Sequence, residues 1–193
     1  YPPMSGQEAA QVGSVHAIDA AEDWVFPSYR EHASMMHVGL SPEQTLLYWM
    51  GHEEGNVRED LNLFSVAVPI ATQIPHATGA AWASKLREER KAFLCYFGDG
   101  ATSEGDFHEG LNFAGVFDVP AVFFCNNNQW AISVPRERQT RSATLAQKAD
   151  AYGFEGVQVD GMDPLAVYQV TKAAVEKARH PNPDELRPTL IEA

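Results

Sequence analysis

Two short apolar runs, each followed at once by a loop of unusual composition, constrain this chain more than any other feature. Residues 92–97 read AFLCYF and lead into Gly98-Asp99-Gly100-Ala101-Thr102-Ser103-Glu104-Gly105-Asp106. Residues 119–125 read VPAVFFC and lead into Asn126-Asn127-Asn128-Gln129-Trp130-Ala131-Ile132-Ser133. Runs this brief and this continuously apolar suit strands covered on both faces, which is the environment of a parallel sheet. Between them, Ser103 is placed to cap a helix reaching Phe117. Beyond them the pattern predicts a helix over 144–152, a strand over 156–159, a helix over 164–179 and a strand over 188–191. Strands alternating with helices predict an α/β fold, a doubly wound and mostly parallel sheet with helices on both faces. Ligands of such sheets bind at the carboxyl ends of the strands. A site is therefore expected at the loops after Phe97 and Cys125.

The first half is less regular. Ser5-Gly6-Gln7-Glu8 has capping-box spacing and predicts a helix to about Ala20. Residues 23–28 read as a loop. Ser41-Pro42-Glu43-Gln44 starts a second helix, with proline at its first position, ending near Gly51. Residues 52–60 are polar and loop-like, a short strand is expected over 64–68, and a helix over about 71–88. There is no internal repeat and no low-complexity segment.

Composition narrows the function classes. With 193 residues and 45% hydrophobic content the chain can bury one sizeable core, which excludes a disordered polymer. The charge of 14 − 26 = −12 argues against a general nucleic-acid binder, which needs a basic face. It also opposes a bare diphosphate, so such a ligand would require a metal and local donors. No apolar run approaches the roughly 18–20 residues of a membrane span, and no basic start precedes an apolar h-region. The two cysteines, Cys95 and Cys125, lie in the apolar runs, so they are expected to be buried. They supply no disulfide framework, which favours a reducing compartment. The chain opens on Tyr1-Pro2-Pro3 and stops within strand-like sequence, so the expectation is one domain over 1–193 cut from a longer subunit that extends at both ends.

The two loops carry the chemistry. Gly98 and Gly100 allow a sharp turn and close approach to a ligand. Asp99 offers a hard anionic oxygen and Asn128 a neutral one, a donor set suited to Mg²⁺ sharing its shell with phosphates. Twenty-six residues separate Gly100 from Asn127, enough for one helix and one strand, so the loops should lie side by side. Gly-Asp-Gly alone is usually a turn and Asn-Asn alone a loop. Their coupling behind two apolar strands points to a metal–diphosphate site. P-loop and dinucleotide glycine signatures are both missing.

Here the sequence resembles a known family. The Gly-Asp-Gly to Asn-Asn pattern looks like the thiamine diphosphate signature, and YFGDGATSEGDFHEGLN (96–112) resembles the core motif of E1 alpha subunits of 2-oxo acid dehydrogenase complexes, pyruvate or branched-chain type. GQEAAQVG (6–13), PSYREH (27–32), the segment 127–135 and GVQVDGMDP (156–164) agree in order and spacing, so the resemblance covers essentially the whole chain. It implies a thiamine diphosphate-binding fold and oxidative decarboxylation of a 2-oxo acid, with acyl transfer to the lipoyl group of an E2 component. Pyruvate is favoured, branched-chain 2-oxo acids next. Thiamine diphosphate and Mg²⁺ are the implied cofactors. An E1 beta subunit is the implied partner in an α2β2 heterotetramer, and the glutamate that activates the aminopyrimidine is expected on it, so no catalytic carboxylate is assigned here. By the same resemblance Asp99, the Asn128 side chain and the Trp130 carbonyl hold the metal. Gly98, Gly100 and Ala101 line the diphosphate, and Tyr29 and Arg30 grip it. Val68 and Ile70 meet the aminopyrimidine through their backbones. Location is expected in the cytoplasm of a prokaryote, or the mitochondrial matrix of a eukaryote; neither nucleic acid nor membrane is an expected partner. The competing readings are an acetoin dehydrogenase or other thiamine enzyme subunit, and a partner-binding subunit without cofactor function.

Three departures stand out. Gln129-Trp130 replaces the family's frequent Gly-Tyr. Asn126 stands where branched-chain members can carry an arginine. The histidine-bearing loop that follows the last strand in the family falls beyond residue 193. Among smaller features, no histidine has zinc-ligand spacing with the cysteines, although His32 and His76 flank candidate site residues. Glu104 and Asp106 suit a helix N-terminus, with a contact near the cofactor or a subunit interface as the alternative. Arg136, Arg138 and Arg141 form either a solvated loop or a partner contact. Trp49, Trp82 and the phenylalanines are expected in the core.

Overall fold

The computed structural model describes residues 1–56, 60–66 and 68–193. In chain order its elements are α1 (Glu8–Val15), β1 (Trp24–Phe26), α2 (His32–His37), α3 (Pro42–Trp49), α4 (Gln73–Leu86), β2 (Phe93–Gly98), α5 (Gly105–Phe117), β3 (Ala121–Asn126), β4 (Trp130–Ala131), β5 (Val134–Pro135), β6 (Glu155–Gln158), α6 (Pro164–Arg179) and β7 (Thr189–Glu192). Five strands form one sheet in the order β1-β2-β3-β7-β6, and every pairing in it is parallel. The remaining two, β4 and β5, make an antiparallel hairpin in the segment after β3.

Alternation along each strand divides the core into two layers. Phe93, Cys95 and Phe97 of β2, with Phe123 of β3 and Leu190 of β7, pack against α4 and α5 through Ile74, Ala77, Phe107 and Leu111. Leu94, Tyr96, Phe124 and Ile191 face the other way, onto Ala10 and Val15 of α1 and Val167, Ala174 and Val175 of α6. Each strand in the middle of the sheet is thus buried on both sides, which is why β2 and β3 read as unbroken apolar runs. Both cysteines are free and buried. No helix among the described residues is long and apolar enough to cross a membrane.

The predicted doubly wound α/β architecture is observed, and several local expectations are corrected. Residues 24–26, inside the expected loop, form edge strand β1, because Trp24 N–H bonds Ala92 and the run pairs with β2. No strand forms at 64–66; instead Leu63 makes an isolated bridge to Val25, and Ala67, within the expected strand, lies outside the described residues. Helix α1 begins at Glu8 with Gln7 at its N-cap and no side-chain cap, so Ser5 does not cap it. Nor does Ser103 cap α5, whose N-cap is Glu104; Ser103 closes a 3₁₀ turn over Asp99–Ser103. The helix expected over 144–152 is a 3₁₀ segment, Ala146–Tyr152. Trp82 and Phe113 are partly exposed rather than in the core. The helix start at Ser41-Pro42 and the span of α6 match the sequence reading; in addition Ser41 and Gln44 form a capping box, and Asp163 caps α6 through the N–H groups of Leu165 and Ala166.

At the amino-terminal end of the sheet one carboxylate holds three elements together. Asp23 is fully buried. Its oxygens accept the N–H of Asp19 at 2.8 Å and the N–H of Ala92 at 2.8 Å, and both take hydrogen bonds from the Arg179 guanidinium at the end of α6. The starts of β1 and β2 and the last turn of α6 are thereby locked to one another.

Candidate functional site

The carboxyl ends of β1, β2 and β3 open on a cleft of about 180 Å³. Its floor is the turn after β2: Gly98, Asp99, Gly100 and Ala101. One wall is the turn after β1, with Tyr29 and Arg30; the facing wall is the segment after β3, with Asn128 and Trp130. Val68 and Ile70 form an apolar rim. The ten residues assigned to cofactor and metal from the sequence therefore line the same cleft, although they come from four separate segments.

Local structure explains these placements. β2 ends at Gly98 and the chain tightens into the 3₁₀ turn beginning at Asp99. The first N–H groups of such a turn lack internal acceptors. Gly100 is required sterically: a Cβ there would lie 2.7 Å from the Cβ of Ala131 in the hairpin. The Tyr29-Arg30 turn is held from beneath by Glu31, which accepts from Ser28 N at 2.9 Å, Ser28 Oγ at 2.8 Å and Arg30 N at 3.3 Å. Gln11 of α1 adds a bond from its amide to the Arg30 carbonyl and accepts from Ala33 N. The Arg30 guanidinium donates to the Pro3 carbonyl at 2.7 Å and lies over the Tyr29 ring.

The polar balance of the cleft is specific. Asp99 is 1% exposed. Burial pushes its carboxyl above the ordinary carboxylate range, while the Gln139 side chain and the charge of Arg136 pull against that. Burial likewise raises Glu31, against its bonds from Ser28. Two amide oxygens at the cleft, Gln73 Oε1 and Asn126 Oδ1, are buried without a hydrogen-bond partner. The buried carboxylate and these two oxygens leave acceptor capacity unfilled in the cleft, on whose wall Arg30 stands.

The decisive comparison is with sequence families: the model of the Dehydrogenase E1 component family matches residues 1–193. The chain belongs to the dehydrogenase E1 component family. It is 45% identical to the 3-methyl-2-oxobutanoate dehydrogenase subunit alpha of Mycobacterium tuberculosis, over all of this chain and 52% of that protein. It is also 45% identical to the pyruvate dehydrogenase E1 component subunit alpha of Bacillus cereus, over all of this chain and 51% of that protein. The corresponding Staphylococcus aureus subunit is 45% identical over 92% of this chain and 48% of its own length. The chain thus spans about half the length of the curated relatives it matches.

The departures in this E1-family chain now have a structural reading. Gln129 has φ 70°, the left-handed region that a glycine occupies without cost, so the turn persists with a non-glycine residue in it. Its N–H is satisfied by Asn127 Oδ1 and its carbonyl by Arg136 N. Asn126, where an arginine can stand, directs its amide towards Glu31 Oε1 at 3.4 Å. Ile132 at the hairpin tip also has positive φ, 57°, and is wholly exposed.

Sequence reading missed two residues that hold the site from outside. Gln139, forty positions from Asp99, donates its amide to Asp99 Oδ2 at 2.8 Å. Glu192 at the end of β7 accepts from Asn127 Nδ2 at 2.7 Å and from the N–H groups of Leu145 and Ala146. Neither sits in a motif; only the parallel pairing of β3 with β7 could have pointed to Glu192. Among the described residues, no group of three or more His, Cys, Asp or Glu could hold a metal. The candidate centre would use one carboxylate, one amide and one carbonyl.

His32 lies behind the Tyr29-Arg30 turn rather than in the cleft, its Nε2 accepting from Trp49 Nε1 at 3.1 Å. Burial, aided by the charge of Arg30, holds its pKa below the ordinary 6.5. The unfolded chain then binds this proton more readily than the folded one. Stability from a neutral His32 is complete above about pH 6.5 and is lost as pH falls below it. Urea unfolding at pH 7.5 and 5.5 should show wild type losing more than His32→Gln, by at most about 1.4 kcal/mol per pH unit. Equal losses would refute the assignment.

Proposed function

We propose that this chain is the cofactor-binding part of an E1 alpha subunit, taking thiamine diphosphate and Mg²⁺ at the cleft and serving the oxidative decarboxylation of a 2-oxo acid. The observation that carries this reading is the convergence of all ten motif residues on one cleft at the strand ends. The donors fit the group. Asp99, the Asn128 side chain and the Trp130 carbonyl are hard oxygens of the kind Mg²⁺ takes alongside phosphates. Trp130 and Pro135 form the non-hydrogen-bonded pair of the hairpin, the neighbouring bond running from Arg136 N to Gln129 O, so the ladder does not use the Trp130 carbonyl.

Each segment of the chain then has a task. Arg30 supplies a charge-assisted, geometrically forked contact to phosphate, and the Tyr29 hydroxyl a further donor. The backbone at Gly100 and Ala101 would line the diphosphate, and a Cβ on residue 100 would collide with Ala131. Val68 and Ile70, on the apolar rim, would meet the aminopyrimidine ring through their backbones. Once bound, thiamine diphosphate supplies a nucleophilic carbon and an electron sink, which no side chain can provide. The −12 charge is reconciled with a polyanionic ligand because the metal, Arg30 and aligned N–H groups concentrate positive potential at one crevice.

The proposed partners are an E1 beta subunit and a lipoyl-bearing E2. For the substrate, pyruvate is favoured over 3-methyl-2-oxobutanoate. Relatives named for both are equally similar, and the acids differ by two methyl groups, each worth about 1–3 kcal/mol. The test is calorimetry of thiamine diphosphate with Mg²⁺ on the full subunit paired with its beta partner, followed by decarboxylation rates on the two acids. Metal-dependent binding with turnover of either acid is expected; no binding overturns the reading, and faster turnover of the branched acid reverses the substrate choice.

A further inference from the structure

We infer that Gln139 is the positioning residue of the Asp99 carboxylate, fixing it for the metal and tying the two cofactor loops into one unit. The inference rests on the functional reading above and assigns a role to a residue that no motif includes.

The geometry is that of a clamp. The Gln139 amide nitrogen has two hydrogens and uses both. One goes to Asp99 Oδ2 at 2.8 Å, the other to the Val134 carbonyl at 3.1 Å. Both neighbours are acceptors, so only the NH₂ end of the amide can face them and its orientation is determined. Asp99 belongs to the turn after β2. Val134 belongs to β5, which pairs with the strand carrying Trp130. One side chain thus joins the proposed carboxylate ligand to the hairpin bearing the proposed carbonyl ligand. The close approach of Gly100 to Ala131 joins the same two segments a second time.

Two consequences follow for the carboxylate. Donation to Oδ2 restricts its rotation and leaves Oδ1 without a side-chain donor, the backbone N–H groups of Asp99 and Asn128 being the carboxylate's other donors. The donor is also neutral. A lysine or arginine at this place would satisfy Asp99 outright and compete with the metal, whereas an amide orients the charge without cancelling it. Gln139 itself comes from the turn that follows Arg136–Arg138, whose conformation is set by Arg136 N bonding Gln129 O and Arg136 Nη2 bonding the Ser142 carbonyl at 3.0 Å. Removal of groups that orient metal ligands costs about 10–100-fold in metal affinity.

The test uses the full subunit in complex with its beta partner, with Mg²⁺ and thiamine diphosphate as probes. Calorimetry across a Mg²⁺ series gives the apparent metal affinity for wild type, Gln139→Met, which keeps the length and loses the donor, and Gln139→Asn, one methylene too short. Expected are a loss of about tenfold or more in both variants, recovery of full cofactor binding at saturating Mg²⁺, and an apoprotein melting temperature close to wild type. A purely structural role would instead shift the melting temperature and leave the metal affinity alone. Should Gln139→Met prove unstable, Gln139→Asn decides. A loss under tenfold overturns the inference while the functional reading stands. A wild-type complex that binds no cofactor, or an Asp99→Ala complex that binds it normally, overturns the functional reading itself.

Discussion

Asp99→Ala is expected to weaken Mg²⁺-dependent binding of thiamine diphosphate by about 100-fold or more and to leave the apoprotein as stable as wild type. The first part follows from the donor set. Asp99 is the one anion among the three proposed ligands, and its loss exceeds the tenfold to 100-fold typical of groups that only orient a ligand. The second part is a balance of two small terms. The variant strands one hydrogen of the Gln139 amide, and a typical hydrogen bond contributes a net 0.5–1.5 kcal/mol, about 1 kcal/mol in the middle of that range. Against this, it removes a carboxylate that is buried at 1% exposure and held above its ordinary pKa by that burial. The terms oppose each other, so the melting temperature should stay within a few degrees. Calorimetry on the reconstituted complex and thermal melts of the apoprotein measure the two parts separately. Cofactor affinity within tenfold of wild type would refute the ligand assignment.

Asp23→Ala should have the opposite profile. It deletes the acceptor for two backbone N–H groups, those of Asp19 and Ala92, and for the Arg179 guanidinium. Breaking a buried pair from one side typically costs about 3–5 kcal/mol. Arg179 is partly exposed and can turn towards water, so the lower end applies, near 3 kcal/mol. At about 2–4 °C per kcal/mol for a chain of this size, the melting temperature should fall by roughly 6–12 °C. Below the melting range, cofactor affinity per folded molecule should be unchanged, because Asp23 lies at the other end of the sheet from the cleft. A fall of less than 2 °C would show that the lock contributes little.

The elements that were legible in the sequence are those whose pattern is local. β2 and β3 announced themselves because burial on both faces leaves no polar position to interrupt the run. α3 and α6 did so through Ser41-Pro42 and Asp163-Pro164, where the cap and the first-turn proline are adjacent in sequence. β1 was not legible: three residues, Trp24 to Phe26, carry too little periodicity, and they are strand only because β2 offers an edge. The Ser103 cap failed for a related reason. The 3₁₀ turn at Asp99–Ser103 absorbs the residues that would otherwise start the helix, and displaces the N-cap to Glu104. At the site, Asp99 and Asn128 were readable because the chemistry they offer follows each strand directly. Gln139 and Glu192 were not, since an amide or carboxylate that holds a distant residue has no fixed spacing from it. Gln129 is the instructive case: composition marked it as unlike glycine, while its φ of 70° shows the backbone keeping the glycine-like turn regardless.

The all-parallel pairing of the main sheet has a practical consequence for engineering. With every strand running the same way, the lock at Asp23, Ala92 and Arg179 gathers at one rim and the cleft at the opposite rim. Durability and ligand preference are therefore written in different residues. A laboratory selecting for heat tolerance can vary the rim around Asp23, and one tuning cofactor affinity can vary the residues of the cleft. The two sets of changes should combine additively, because they share no partners and sites so separated act independently to within about 0.5 kcal/mol.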